Sequence, residues 1–383
     1  MPSEKRGEMV ELAGKDSLKS IPHKILEEAY KAGAASDEER AGTFFHIDTS
    51  TVYSRVNELF KGKVELMDIK VALQKYQWLS DYMWSAVPRE GDAFTRRVAE
   101  DFSGGYFLRI LPDAEVTFPL QSCMVITQEN LEQRLHNIII AEENSKAHLI
   151  TSCLQHSTVT SATHIGVTEI YVKRGAYLNS TMVHQWREES MVRPRSAAII
   201  NENGTFVSNY ICLRPVRDVQ MYPVAYCMGE GSKAIFNSIL YGHRNTFMDI
   251  GSKAILEGRE SRAEMISRAV TREGSKIIVR GSIEGNGQDC KGHLECKGLI
   301  LDDESFLQSI PELTARSKSI EITHEAAVGR ISEKEIVYLM TRKLSREQAV
   351  SLIIRGFMDA GIMGLPETLS DEINRIIDIA AKV

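Results

Sequence analysis

Long apolar runs are missing from this sequence. No stretch approaches the roughly 18 consecutive apolar residues of a membrane span, and the opening MPSEKRGEMVELAG lacks the apolar centre of a secretory signal. The expectation is a cytoplasmic protein. A dominant charge sign is missing too. The 46 Lys and Arg stand against 52 Asp and Glu, a formal net charge of -6. Neither the broad positive field that holds nucleic acid nor polybasic attraction to a membrane has support. Cysteine is sparse: Cys123, Cys153, Cys212, Cys227, Cys290 and Cys296 are scattered over 383 residues. That suits reduced thiols rather than the disulfide framework of a small secreted domain.

Common catalytic loops are absent as well. The chain has no GxxxxGK[ST] phosphate loop, no GxGxxG leading from a strand into a helix, and no GxSxG or HExxH. A non-catalytic protein is expected. His148, His156 and His164 recur every eight residues, but they sit amid Ser and Thr and read as surface or core side chains.

What is present is enough apolar residue, 43% of the chain, to bury a large core. The chain before Ala86 reads as helical, with Leu26, Ala29 and Tyr30 sharing a face. Ile69, Ala72, Tyr76, Leu79 and Met83 recur near a 3.6-residue period, predicting one amphipathic helix from Met67 to Val87. From Tyr106 short runs rich in Ile, Val and Thr predict strands at 106–111, 136–141, 168–173 and 234–241. Gly-Ser-Lys recurs at Gly231, Gly251 and Gly274, spacings of 20 and 23. Related turns, Asn144-Ser145-Lys146 and Gly175-Ala176, also precede strand-like runs. Recurrent turns between strands are the mark of stacked solenoid rungs; the alternative is an antiparallel sandwich whose turns look alike. After Thr323 helices return, with Ser332/Glu335 and Ser345/Gln348 at capping-box spacing. A stripe of Val350, Ile353, Ile354 and Phe357 follows, a stop near Gly361, and a last helix from about Ser370.

Cys290 and Cys296 are separated by five residues, too many for a common structural zinc pair, and no second pair completes such a site. Alternation puts Leu294, Cys296 and Ile300 on one face and His293, Glu295 and Lys297 on the other. It likewise groups Ile320, Ile322 and His324 against Glu321, Thr323 and Glu325. By themselves these residues fit a small buried thiol, a core histidine and a solvated carboxylate as well as they fit ligands.

The run ITHEAAVGRISEKEIVYLMTRKLSREQAVSLIIRGFM from Ile322 to Met358 resembles the C-terminal signature of the SufB/SufD family. AEENSKAHLITSCL at 141–154 and TEIYVKRGAYLNSTMVHQW at 168–186 extend the resemblance. It implies a mainly β protein: a right-handed parallel β-helix core over 89–323, an N-terminal helical region over 1–88 and a C-terminal helical domain over 324–383. It also implies a scaffold for iron-sulfur cluster assembly, a homodimer through the cores, and docking of a SufC-type ABC ATPase on the C-terminal helices. Hydrolysis of ATP would fall to that partner, and apo recipient proteins would take a transiently bound 4Fe-4S cluster. Cys296 matches the cysteine implicated in assembly, and His324 and Glu325 match candidate ligands; Cys290 is a weaker one. RSAAIINENG carries no cysteine where bacterial SufB proteins have a second, which leaves no matching sulfur entry residue there, and the sequence resembles archaeal minimal versions more closely. A SufD-like partner without a cluster is the alternative within the family, and a polysaccharide-cleaving β-helix the alternative outside it.

Stacking GLIL from Gly298 on SIEI from Ser319 pairs Ile300 with Ile322 and sets Cys296 opposite Lys318. His324 then lies about 20 Å from Cys296. The expectation from that register is ligation in trans across a two-fold axis.

Overall fold

The computed structural model describes residues 18, 21–358 and 374. The stop near Gly361 and, apart from Asn374, the last expected helix lie outside them. The centre is a solenoid of about eight turns. Its strands, many of them ten residues long, form a 10-stranded and an 11-stranded sheet, here called the first and second sheets. The four strands expected from sequence are present as Tyr106–Ile110, Glu132–Ala141, Thr163–Val172 and Lys233–Gly242. Along the solenoid the strands are parallel and stack in register. In the first sheet Lys146, Tyr177, Thr205, Lys233, Arg262, Lys291 and Glu321 form one column. Successive members of the column are about 30 residues apart, within the usual range for a stacked repeat.

The rung is therefore longer than the Gly-Ser-Lys spacings of 20 and 23. Gly251, Ser252 and Lys253 lie inside the strand Phe247–Leu256, while the other two triplets precede strands of different sheets. The repeating feature is a left-handed residue at one corner: Asn144, Gly175, Asn203, Gly231, Glu260 and Asp289 have φ of 57°, 67°, 54°, 65°, 57° and 57°. Gly tolerates this region freely, and Asn and Asp better than other side chains, so turn chemistry favours a sharp corner at this point of the rung. The alternation of buried and accessible residues then sends one face into an apolar lumen.

Strands begin earlier than expected. Gly42–Ile47 pairs antiparallel with Ser50–Val56, and Val64–Asp68 pairs antiparallel with Tyr106–Ile110, so part of the region expected to be helical closes one end of the solenoid. Helix α1, His23–Lys31, covers the first sheet there with Ile25, Leu26 and Ala29.

The single helix expected from Met67 to Val87 is broken. Met67 and Asp68 end a strand, helix α2 spans Ile69–Lys75, and a 3-10 turn follows at Gln77–Asp81. The Asp68 carboxylate caps α2 by accepting from Lys70 N. Farther on, Tyr76 and Trp78 pack on Phe107, and Tyr82 packs on Tyr171. The buried Glu169 carboxylate accepts the backbone N–H groups of Trp84, Ala86 and Val87 at 2.5–3.1 Å. Docking to the second sheet outweighs local periodicity. Helix α3, Ala93–Glu100, completes this layer with a capping box at Asp92 and Thr95.

At the other end the strand Glu321–Gly329 carries the solenoid past residue 323, before helices α4, Glu333–Met340, and α5, Arg346–Met358. Ser345 and Gln348 cap α5 reciprocally: Gln348 N donates to Ser345 Oγ, and Ser345 N to Gln348 Oε1. Ser332 precedes α4 without a side-chain capping bond. Val350 and Ile354 pack on Val183, Ile211 and Tyr241 of the first sheet, so this part of the α5 stripe covers the solenoid. No helix among the described residues is long and apolar enough to cross a membrane.

The lumen also buries imidazoles. His164 Nδ1 donates to Gln133 Oε1 at 2.9 Å, and His184 Nδ1 lies 2.9 Å from the Tyr210 hydroxyl. Burial lowers His46 to about 4 and His164 to about 3. The unfolded chain therefore binds more protons below about pH 6.5, so these groups are neutral in both states above that pH and cost stability as pH falls toward 4. Each costs on the order of 2 kcal/mol at pH 5. Urea midpoints should drop between pH 7 and pH 5, and His164→Met should flatten the drop; an unchanged slope contradicts this origin.

Candidate functional site

The open end of the solenoid holds the candidate residues. Its last two strands in the first sheet are Lys291–Ile300 and Glu321–Gly329, with Leu294 opposite His324, Glu295 opposite Glu325 and Cys296 opposite Ala326. This corrects the register inferred from sequence: Ile322 pairs with Gly292, and Ile300 pairs with Thr271 of the preceding rung. Cys296 and His324 are diagonal neighbours on the lumen face. Strand spacing near 4.8 Å and a rise near 3.3 Å per residue put their Cα atoms about 8 Å apart. The long separation expected from sequence, and with it the geometric need for trans ligation, disappears.

Cys296 is 4% exposed and belongs to the lumen core. Burial raises its thiol above the usual range; the hydroxyls of Ser309 and Ser267 and the charge of Arg268 oppose that shift, while Glu295 adds to it. The sulfur is therefore a protonated thiol at neutral pH until a metal or a cation displaces the proton. His324 is exposed, because among the described residues no further rung covers it. Gly281 makes this end narrow: a Cβ there would lie 2.2 Å from Leu294 Cδ1, two residues from Cys296.

Glu325 is on the opposite face. Its Oε1 lies 3.4 Å from Lys297 Nζ, which also lies 3.0 Å from Glu295 Oε2, and Glu295 pairs in turn with Arg268. The structure thus brings Cys296 and His324 together and sets Glu325 in an outward ion network. No group of three or more His, Cys, Asp or Glu residues among those described could hold a metal ion within one chain as it stands.

Cys290 is elsewhere. It precedes its strand at a corner where Gly204, Ser232, Ser261 and Cys290 stack. Its Sγ lies 3.4 Å from both Gly258 O and Ser261 Oγ. Cys296 lies six positions farther along the strand, about 20 Å away. All six cysteines are free and buried.

Sequence reading missed Ser267, Ser309 and Arg268 as neighbours of the site. Ser267 and Arg268 lie one rung before Cys296 and Lys297, a relation the left-handed corners would have supplied and the Gly-Ser-Lys triplets could not.

A parallel β-helix with one closed end, one open end, and a buried thiol beside an exposed histidine at the open mouth defines the structural class. The family described as SUF system FeS cluster assembly, SufBD core domain, matches residues 124–357. An iron-sulfur cluster assembly SufBD family protein of Methanothermobacter thermautotrophicus strain Winter is 46% identical over 369 residues, 95% of this chain and 89% of that one. One from Archaeoglobus fulgidus is 45% identical over 344 residues, 90% and 91% of the two chains. One from Staphylococcus aureus strain MRSA252 is 30% identical over 370 residues, 94% and 79%. The chain belongs to the SufBD family.

Serine occupies the Cys290 position in the two preceding rungs, so Cys290→Ser should change thermal stability by no more than about 1 kcal/mol and leave metal loading unchanged. Loss of iron binding in that variant would make Cys290 a ligand.

Proposed function

We propose that this chain is a non-catalytic scaffold on which an iron-sulfur cluster is assembled and from which it passes to apo recipient proteins in the cytoplasm. The observation that carries this reading is the placement of Cys296 and His324 on one lumen face at the open end. A thiolate joined by an imidazole holds iron less firmly than four thiolates, which suits a transiently bound 4Fe-4S cargo. One chain supplies too few ligands. The exposed edge strands at the same end offer a second copy a surface to extend, making a homodimer whose two lumens meet. Glu325 would join only after leaving its ion network.

A SufD-like role, in which the chain supports the complex without holding a cluster, has one observation in its favour: Glu325 faces away from Cys296. Anaerobic reconstitution separates the readings. Wild-type protein should bind iron and sulfide, and Cys296→Ala or His324→Ala should lose at least half of the bound iron. A mixed dimer of Cys296→Ala with a His324→Ala, Glu325→Ala chain should hold no more than either mutant alone, since Cys296 and His324 lie in the same chain. Absence of bound iron and sulfide from reconstituted wild-type protein would favour the SufD-like role.

A SufC-type ABC ATPase would dock on the C-terminal helices, supplying the phosphate chemistry for which this chain has no loop. Val337, Tyr338 and Met340 of α4 and Leu352 of α5 are exposed, whereas Val350 and Ile354 are occupied by the solenoid. Arg346 is bridged to Glu333 at 2.6 Å and braces the two helices. Tyr338→Asp combined with Leu352→Asp should reduce copurification with such an ATPase at least tenfold without moving the melting temperature. Undiminished copurification would exclude this face.

A further inference from the structure

We propose that the middle of the lumen holds a binding site for water, a small hydroxyl-lined cavity between rungs that are filled with apolar side chains. The inference is independent of the scaffold reading. On the lumen face of the first sheet one column in register reads Leu120, Leu149, Ser180, Ser208, Phe236 and Met265. Every member except the two serines belongs to the apolar core. The second sheet sets Thr168 beside Ser196 on its own lumen face. These four short side chains line one cavity of about 40 Å³, together with Tyr106 and Tyr210. The space exists because serine stands where neighbouring rungs carry Leu, Phe or Met.

The lining selects the ligand. A hydroxyl has one hydrogen to give and two lone pairs to offer, and leaving such a group unpaired in the interior costs stability. No group among the described residues makes a hydrogen bond with the hydroxyls of Ser180, Ser196 or Ser208. Thr168 Oγ1 accepts from Asn137 Nδ2 at 3.1 Å and keeps its own hydrogen to donate. No charged side chain lines the cavity, so an ion there would be uncompensated. An apolar guest would leave the serines unpaired. What fits is a neutral molecule that both donates and accepts, and the volume suits about three waters, each of which needs at least 10–15 Å³ and two to four polar partners.

The test is a crystal structure of the full-length chain, with and without xenon pressure. Ordered water should lie within about 3.2 Å of the Ser180, Ser196 or Ser208 hydroxyls, and xenon should not enter. Xenon at this place, or no water within that distance of any of the three, overturns the proposal. In solution, magnetic relaxation dispersion of water oxygen-17 counts long-lived internal waters. Ser180→Leu, which restores the residue of the preceding rung, should lose about three of them relative to wild type. Ser180→Ala, which keeps the space and removes one hydroxyl, should lose fewer than Ser180→Leu. A count that Ser180→Leu leaves unchanged overturns the site. If the leucine variant does not fold, Ser208→Val takes its place and should lose at least one water, with an unchanged count again decisive against the site.

Discussion

In-register stacking of parallel rungs is the constraint on which the structure depends. Six successive rungs turn on one left-handed residue at the Asn144 to Asp289 corner, and the length of the rung then decides what every side chain touches. A slip of one residue would turn Cys296 outward and drive Glu295 and Lys297 into an apolar lumen. Unpaired charge there is too costly to hold. The same register that packs the core thus places the thiol inside and the charges outside.

This explains what the sequence made legible and what it did not. Alternation within a strand is local, so the two faces of Lys291–Ile300 and Glu321–Gly329 were readable directly. Register is not local. Gly-Ser-Lys looked like the repeat, yet Gly251 is glycine for another reason: a Cβ there would lie 2.5 Å from Arg280 Cβ on the adjacent strand. The corner residues that do repeat are Asn, Gly, Glu and Asp, alike in backbone conformation rather than in identity. Near the N-terminus a 3.6-residue period was real in Ile69 and Ala72 but could not foretell that Glu169, far along the chain, would take the backbone of Trp84.

The family resemblance named Cys296, His324 and Glu325 together, and the fold divides them by face. His324 and Glu325, adjacent in sequence, point to opposite sides of one strand, one toward the lumen and one toward Lys297. Conversely, Cys296 and His324 belong to different rungs and share a surface. Proximity at this end follows the rung and not the chain.

The two ends of the solenoid are unlike, and the difference bears on function. Antiparallel strands and the helices α1 to α3 close the N-terminal end. Among the described residues the C-terminal end finishes on Phe306–Ala315 and Glu321–Gly329 with their outer edges unpaired. Free edges invite pairing and are commonly blunted by proline or charge. Pro311 interrupts the donors of the second-sheet edge; the first-sheet edge has no proline and carries Ile322, Ala326 and Val328. Glu321 and Glu325 supply that edge with the charge that the other edge replaces by proline, so the two edges are blunted by different means.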